Sequence, residues 1–275
     1  MTASTKVTFI GAGNMASSLI SGLLNNGHDP SAICASDPAA APLAALAERG
    51  IATTDNNTEA VANAEVVVLA VKPQVLGSVT RQLPLHASQL VVSIAAGVPL
   101  ESLQAWTAAT QPIVRCMPNT PALVGAGVTA LYANDNVAAE QREQAQRLLT
   151  AAGKTVWVPE ESLLDAVTAV SGSGPAYFFY LMEAMITAGE ALGLDAATAT
   201  MLTVETAYGA ARMVREGQTP PRELRENVTS PGGTTQRALS ILDAADCKGI
   251  ISAALHGAAQ RSAELAKEFG SNDPA

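Results

Sequence analysis

The segment 6–16, KVTFIGAGNMA, constrains the fold of this chain more than any other part of the sequence. Its first residues include the β-branched and aromatic side chains that are typical of a buried strand, and the strand pattern ends at two glycines. A run of helix-forming residues, 15–24, follows directly. The segment therefore predicts a strand, a glycine turn and a helix in succession, the arrangement that opens a dinucleotide-binding βαβ unit.

The two glycines have different functions in such a turn. Gly11 would supply the backbone angles that a tight strand-to-helix turn requires. Gly13 would leave room for a pyrophosphate to approach the helix N-terminus, where the helix dipole favours negative charge. Ala16 takes the third position of the pattern G-x-G-x-x-G/A. Such turns also occur without a ligand, but this one begins an alternating series of strands and helices, so we expect a dinucleotide site.

Asp37 is open to two interpretations. It follows a predicted strand at 33–36 and lies about 20 residues beyond the glycines, where an acidic side chain can accept hydrogen bonds from the adenosine ribose. In that position it would favour NAD and repel the 2′-phosphate of NADP. Asp37 also precedes Pro38, and Asp-Pro is a common turn pair, so it can equally be a turn residue.

Two further strands are predicted to end at the same edge of a parallel sheet. The unbroken apolar run 66–71 is typical of a strand covered on both faces, and Lys72 and Pro73 follow it. A lysine there faces the crevice where ligands bind in open α/β sheets. The strand at 90–94 is followed by the small residues 95–97, which leave room for a flat ring. A rigid polar turn at 117–121 is predicted at the same edge.

The strand pattern stops near residue 160, and only helices are predicted after it. We therefore expect a Rossmann-type, doubly wound, mostly parallel α/β sheet in residues 1–160 and an all-helical domain in residues 161–275. A helix predicted at 176–192 is apolar nearly all round. Such a helix must be buried, and in a chain of this size its partner is expected to be another subunit.

Composition argues against several other classes of function. The formal net charge of −9 leaves no basic stripe for nucleic acid or for an acidic membrane surface. Cys34, Cys116 and Cys247 are far apart and the histidines are scattered, so we expect no metal site. Charged residues make up only 15% of the chain, which favours an oligomer. The chain starts without a basic and then apolar leader, and we expect it to be cytoplasmic.

A second glycine turn, SPGGTT at 230–235, lies in the predicted helical domain. Gly232 and Gly233 would expose backbone amides at the start of a helix, which form a suitable nest for a carboxylate. Thr234 and Thr235 would add hydroxyl donors. An ordinary helix start after a Pro-Gly turn has the same sequence, and the spacing alone leaves both interpretations open.

Six motifs occur in order over residues 10–235: GAGNMA, AVKP, VSIAAGV, VRCMPNTPALV, VSGSGPAY and NVTSPGGTT. Together they closely resemble the motifs of the pyrroline-5-carboxylate reductase family, and the resemblance covers nearly the whole chain. The resemblance implies an enzyme that uses NAD(P)H to reduce the cyclic imine 1-pyrroline-5-carboxylate to L-proline, the last step of proline biosynthesis. It also implies a homodimer with interlocked C-terminal helices, often built into a larger ring.

The resemblance also assigns site residues, motif by motif. The substrate carboxylate would lie on the amides of the second glycine turn, with the ring nitrogen near the hydroxyl of Thr235, the residue expected to act in catalysis. The substrate-binding residues implied are Ser230, Gly232, Gly233, Thr234, Thr235 and Gln218. The cofactor-binding residues expected are Gly11, Ala12, Gly13, Asn14, Met15, Ser36, Asp37, Asn57, Ala70, Lys72, Pro73, Ala96 and Asn119.

Two residues depart from the family pattern. Members of the family often have a small hydroxyl residue in place of Asp37, and some have a glutamate in place of Gln218. We nevertheless expect NADPH to be favoured, with NADH possible, because Ser36, Asn56 and Asn57 can hydrogen-bond a phosphate.

Two alternatives belong to other classes of protein. A β-hydroxyacid dehydrogenase would share the two-domain plan, but that family places a catalytic lysine on the helix after its glycine-rich interdomain turn. The helix predicted at 176–192 contains no lysine. A nucleotide-sensing module without turnover is the second alternative, and such a protein would not need the glycines and threonines at 232–235.

Overall fold

The computed structural model describes residues 4–271 and divides them into two compact units. The sheet unit comprises the described residues up to Ser173 and those from Gly257 onward, and the helical unit comprises residues 174–256. The outermost parts of the two predicted domains, residues 1–3 and 272–275, lie outside the described residues.

The sheet unit is built on one eight-stranded sheet with the strand order β3-β2-β1-β4-β5-β6-β7-β8. Every neighbouring pair is parallel except β6 and β7, which are antiparallel, so the prediction of a mostly parallel sheet is confirmed. The strands are β1 (Val7–Ile10), β2 (Ile33–Ser36), β3 (Ala52–Thr54), β4 (Val66–Leu69), β5 (Leu90–Ser93), β6 (Ile113–Met117), β7 (Gly127–Ala133) and β8 (Gly153–Trp157).

Strand β1 lies where the order of the sheet reverses. The chain passes from β1 outward to β2 and β3, then returns to place β4 on the other side of β1. In open α/β sheets a ligand crevice lies at such a switch point, outside the carboxyl ends of the strands. The first glycine turn follows β1 and therefore occupies this position.

Helices cover both faces of the sheet, as the fully buried strands β1, β4 and β5 require. The helices are α1 (Asn14–Asn25), α2 (Ala40–Ala47), α3 (Asn57–Val61), α4 (Pro73–Arg81), α5 (Leu100–Ala105), α6 (Ala139–Thr150) and α7 (Leu163–Val167). One core cluster joins one face to residues of α1, α2 and α6, and a second cluster joins the opposite face to residues of α3, α4 and α5.

The glycine-rich segment 171–175 is helical except at Ser173. Helix α7 continues through a π-helical turn, Thr168–Gly172, and the next helix, α8 (Gly174–Ala191), begins two residues later. Pro175 is the second residue of α8 and lies in its first turn, where proline is well tolerated.

The helical unit contains no strand in residues 174–256. Asp195 caps the second helix of this unit by accepting a hydrogen bond from the Thr198 amide at 3.0 Å. This bond and a second one from the Thr198 hydroxyl hold the pKa of the Asp195 carboxyl below its usual range. The further helices are α9 (Ala196–Glu216), α10 (Pro221–Asn227), α11 (Thr234–Ala244) and α12 (Cys247–Ser271), of which α12 continues into the sheet unit.

The helical unit has almost no core of its own. Within residues 174–256 the buried residues are Gly174, Ala199 and Thr203. The large apolar side chains of α8 are exposed instead, among them Phe178 at 65% and Leu181 at 55%. Apolar surface of this extent on one chain is typical of a subunit interface. Within residues 4–271, no helix combines the length and the apolar character needed to cross a membrane.

Candidate active site

The first glycine turn packs tightly against the end of the neighbouring strand β4. Gly11 has a φ of +101°, which favours glycine, and a Cβ atom added there would meet the Ala70 carbonyl oxygen at 2.7 Å. The Gly11 amide donates to the carbonyl oxygen of Ser36, at the end of β2, at 2.7 Å. Gly11 therefore holds the turn against β2 on one side and β4 on the other.

Gly13 provides the open side of the same turn. It is exposed, it precedes α1 as the N-cap residue, and no heavy atom lies within 4 Å of a Cβ atom built on it. The first-turn amides of α1, at Asn14, Met15 and Ala16, have no acceptor within the helix, and the first turn carries no acidic side chain. An exposed, amide-rich helix N-terminus beside open space fits the pyrophosphate of a dinucleotide.

Both carboxylate oxygens of Asp37 accept hydrogen bonds from backbone amides. Oδ2 accepts from the Ala12 amide at 2.9 Å, within the glycine turn, and Oδ1 accepts from the Ala39 amide at 2.8 Å. The second contact is the turn geometry that Asp-Pro predicts. The first contact is one that sequence could not reveal, because it joins the ends of two different strands.

Ser36, Asn56 and Asn57 were expected to bind a phosphate near the end of β2, and the side chains of two of them are hydrogen-bonded to each other. The Ser36 hydroxyl is buried and donates to Asn57 Oδ1 at 2.7 Å. This bond uses only the oxygen of the Asn57 side chain, whose NH₂ group is a donor that suits a phosphate. Asn56 differs, because its Oδ1 accepts from the amides of Thr58 and Glu59 and caps α3.

The cofactor-binding residues expected after β4 and β5 lie at the same edge of the sheet. Ala70 extends the pairing of β1 and β4, since its amide donates to the Ile10 carbonyl oxygen at 2.8 Å. Lys72 is exposed and precedes α4 as its N-cap residue, and Pro73 is the first residue of that helix. Ala96 is exposed just after β5.

Asn119 is a buried residue whose side chain already has two partners. Its Oδ1 accepts from the Val128 amide at 2.9 Å, and its Nδ2 donates to the Ser171 carbonyl oxygen at 3.2 Å. These bonds tie the connection between β6 and β7 to the π-helical turn. The geometry favours a supporting role for the Asn119 side chain.

The second glycine turn lies in the helical unit and leads into α11. Gly232 has a φ of +72°, and Gly233 is the N-cap residue of the helix. The first turn of α11 carries no acidic side chain, and its amides, at Thr234 and the two residues after it, have no acceptor within the helix. Thr235 is half-buried and Thr234 is exposed. This arrangement fits a carboxylate ligand.

Two amides of the second turn have partners that the sequence did not predict. The Gly233 amide donates to the Ser230 carbonyl oxygen at 3.1 Å, and the Gly232 amide donates to Gln236 Oε1 at 2.6 Å. Gln236 is the third residue of α11, where Glu or Gln commonly reaches back to an amide at the helix start. That spacing could have identified Gln236. Gln218 lies exposed in the connection between α9 and α10.

Cys116 lies in β6 and is fully enclosed in the core. Its burial raises the pKa of the thiol, which keeps it protonated and unreactive at neutral pH. Within residues 4–271, no three His, Cys, Asp or Glu side chains are grouped so that they could hold a metal ion.

Comparison with known proteins shows two family matches. Residues 6–97 match the family described as NADP oxidoreductase, coenzyme F420-dependent. Residues 161–265 match the family described as pyrroline-5-carboxylate reductase dimerisation. The whole chain is similar to pyrroline-5-carboxylate reductase of Pseudomonas aeruginosa, with 53% identity over 268 residues that cover 96% of this chain and 98% of that protein.

Two solved structures are similar over nearly the full length. Pyrroline-5-carboxylate reductase from Coxiella burnetii has a TM-score of 0.91 and 41% identity, and the match covers 95% of this chain and 98% of that one. Pyrroline carboxylate reductase from Plasmodium falciparum, solved with NADP bound, has a TM-score of 0.85 and 29% identity, with the same coverage of 95% and 98%.

Proposed function

The chain belongs to the pyrroline-5-carboxylate reductase family, and we propose that it reduces 1-pyrroline-5-carboxylate to L-proline and that each of its two glycine turns binds one of the reactants. It is an NAD(P)H-dependent oxidoreductase that acts on a C=N bond, with NADPH favoured and NADH possible. The first glycine turn holds the cofactor in this proposal, and the second holds the substrate.

The observation that supports the proposal most directly is that each glycine turn exposes the first backbone amides of a helix, and such amides can bind an anion. Helices α1 and α11 each follow a glycine N-cap, and neither has an acidic residue in its first turn. An acidic side chain is often stabilising at a helix N-terminus, so its absence from both turns leaves those amides for a ligand. The two anions of the reaction are the cofactor pyrophosphate and the substrate carboxylate.

On the cofactor side, the amides at Asn14 and Met15 bind the pyrophosphate in the space beside Gly13. Ser36 and Asn57 lie at the end of β2 and serve the adenosine phosphate. Residues at the ends of β4 and β5 line the nicotinamide end of the cleft. The remaining members of this proposed set are Gly11, Ala12, Asp37, Ala70, Lys72, Pro73, Ala96 and Asn119.

On the substrate side, the carboxylate binds the free first-turn amides of α11 at Thr234 and Thr235. The Gly232 amide becomes available when the Gln236 side chain moves away, and the Gly233 amide stays in its turn. Ser230 shapes the turn through its carbonyl oxygen, and Gln218 completes the set.

The chemistry requires positioning more than a strong acid or base. A bound reduced nicotinamide supplies a hydride to the imine carbon. The Thr235 hydroxyl can accept a hydrogen bond from the protonated imine nitrogen and can donate one to the amine nitrogen of the product. Amides of α11 fix the carboxylate end of the ring, so that the imine carbon is held in one orientation.

Steady-state kinetics with pyrroline-5-carboxylate and each reduced nicotinamide nucleotide tests the proposed activity. We expect proline to form with both nucleotides and a higher kcat/KM with NADPH. Nucleotide binding without proline formation would support a nucleotide-sensing module instead. A β-hydroxyacid dehydrogenase is disfavoured because helix α8 contains no lysine.

Asp37 is expected to limit the preference for NADPH. Replacing it by serine removes a negative charge beside the position proposed for the 2′-phosphate, so the ratio of kcat/KM for NADPH to that for NADH should rise about tenfold, equivalent to roughly 1.4 kcal/mol. Serine keeps an oxygen that can accept from the Ala12 amide. The control is Asp55→Ser, an exposed carboxylate in the next strand-to-helix connection. An unchanged ratio in Asp37→Ser would show that Asp37 stabilises the backbone of the turns and has no influence on the choice of nucleotide.

The chain is a homo-oligomer, and we propose that its basic unit is a dimer formed through the exposed apolar face of α8. Phe178, Leu181 and Met185 form one stripe of that face, at the spacing of residues on one side of a helix. A ring of such dimers is a further proposal, supported by the many other exposed apolar side chains of the helical unit.

Replacing Leu181 by aspartate should weaken this dimer by at least about 10²-fold. Each copy would lose a buried leucine, worth roughly 1.5–3 kcal/mol, and would place a charge in an apolar interface. Light scattering should show a shift toward the 28.1 kDa monomer, while the control Glu183→Gln on the same helix keeps the mass of the unchanged protein. A Leu181→Asp variant of unchanged mass would place the interface elsewhere.

We also propose residues 1–160 and 161–275 as the functional division of the chain, supported by the dimerisation match that begins at residue 161. A cytoplasmic location is proposed because Cys34, Cys116 and Cys247 are unpaired. The net charge of −9 supports a small-molecule substrate and no nucleic-acid partner.

A further inference from the structure

The loop after β5 is in contact with the last turns of α12. Gly97 is buried in this loop with a φ of +72°. A Cβ atom added to Gly97 would lie 3.3 Å from Leu265 Cβ and 3.3 Å from Phe269 Cδ2, so the last turns of α12 lie directly against the loop backbone. All of these residues belong to the sheet unit.

Phe269 also packs against the core beneath the loop. It is half-buried on the cluster that contains Ala95 and Val98, the residues on either side of the exposed Ala96 and of Gly97. An aromatic ring has few rotamers and a large contact area, so it makes a firm wall for the loop.

Hydrogen bonds hold both the C-terminal segment and the far end of the loop. The buried Ser262 hydroxyl on α12 donates to Asp165 Oδ1 on α7 at 2.7 Å. Beyond the loop, the Leu100 amide donates to Glu161 Oε1 at 2.7 Å, and the buried Arg115 guanidinium pairs with the same oxygen at 2.6 Å. The loop is thus fixed at its exit by Glu161 and at its centre by α12.

We propose that Phe269 is a positioning residue for the reduction: its ring holds the loop 94–98 so that Ala96 limits where the nicotinamide can lie. This inference rests on the proposed function, which assigns Ala96 to the nicotinamide end of the cleft. Phe269 itself touches Gly97 and the core, and it acts through the loop.

The expected effect falls on turnover more than on binding. Shifts well below 1 Å in the position of a reacting ring are expected to cost about tenfold in rate, since about 1 Å can cost 10²-fold. The pyrophosphate contacts at the first glycine turn stay intact, so NADPH affinity should change by less than about threefold. The KM for the imine should stay constant, because the substrate turn lies in the helical unit.

Phe269→Ala tests the proposal, with Lys267→Ala, an exposed residue of the same helix, as the matched control. The first measurement is hydrogen exchange of the peptide that covers residues 94–98 in the cofactor-free protein. The second is the separate determination of kcat and KM for both substrates. Phe269→Leu keeps a branched apolar side chain and supplies the same test if the alanine variant does not fold.

Faster exchange in the 94–98 peptide, with kcat lowered about tenfold and an unchanged KM for the imine, is the expected result for Phe269→Ala. Phe269→Leu should recover part of the turnover, and Lys267→Ala should match the unchanged protein. Unchanged exchange in this peptide, or unchanged kcat in folded Phe269→Ala, would overturn the proposal. The exchange measurement needs no substrate, so a failure of the proposed function, seen as no proline formation by the unchanged protein, is distinguished from a failure of this inference.

Discussion

Replacing Thr235 by alanine is expected to lower kcat for imine reduction by about 10²-fold, the effect of removing one well-placed hydrogen-bond partner from a transition state. Thr235 lies half-buried in the first turn of α11, where its hydroxyl is proposed to stay with the ring nitrogen as that nitrogen changes charge. The nucleotide is proposed to bind in the other unit, so the dissociation constant for NADPH should stay within about threefold of its original value, about 0.65 kcal/mol. The measurement is steady-state kinetics combined with a fluorescence titration of NADPH.

Two control variants distinguish the effect of the Thr235 hydroxyl from the effect of other changes in the same turn. Thr235→Ser keeps the hydroxyl and should retain most of the turnover. Thr234→Ala removes a neighbouring exposed hydroxyl from the same turn and should raise the KM for the imine more than it lowers kcat. If Thr235→Ala turns over as fast as the unchanged protein, the hydroxyl has no part in the reaction.

The second large effect is expected at Gly13, where valine should raise the dissociation constant for NADPH by at least about 10²-fold while the protein stays folded. The backbone at Gly13, with φ −69° and ψ −176°, is accessible to any residue, and nothing lies within 4 Å of an added Cβ atom. The valine side chain would therefore fill the space proposed for the pyrophosphate.

Gly11 is the informative contrast, because it is required for a different reason. Alanine at Gly11 would combine a φ of +101° with a Cβ atom 2.7 Å from the Ala70 carbonyl oxygen, and we expect a loss of stability of at least roughly 1–3 kcal/mol. Thermal unfolding and NADPH titration on both variants separate the two functions. Tight NADPH binding by Gly13→Val would mean that the pyrophosphate lies elsewhere.

Much of the sheet unit could be predicted because its signals are local. The bounds of β1 and β2 agree with the prediction, since each strand is a short apolar run that ends at a glycine or an Asp-Pro pair. Helices α4 and α5 were not predicted. Proline is common at the start of a helix, and α4 begins at Pro73 while α5 begins directly after Pro99, so both prolines were usable signals.

The details of the site depend on contacts between residues that are distant in sequence. Sequence alone left Asp37 as either a ribose ligand or a turn residue, and the bond from the Ala12 amide shows that it also braces the glycine turn. The amides of Gly232 and Gly233 were expected to be free, and both have partners within the turn. No local pattern links Phe269 to Gly97, because only the folded sheet unit brings them together.

A crystal structure of the protein with NADP⁺ and L-proline tests the central claim most directly. The account predicts the pyrophosphate on the amides of Asn14 and Met15, and the proline carboxylate on those of Thr234 and Thr235, with the ring nitrogen within hydrogen-bond distance of the Thr235 hydroxyl. Proline bound away from residues 230–235 would contradict the assignment of the second glycine turn as the substrate site.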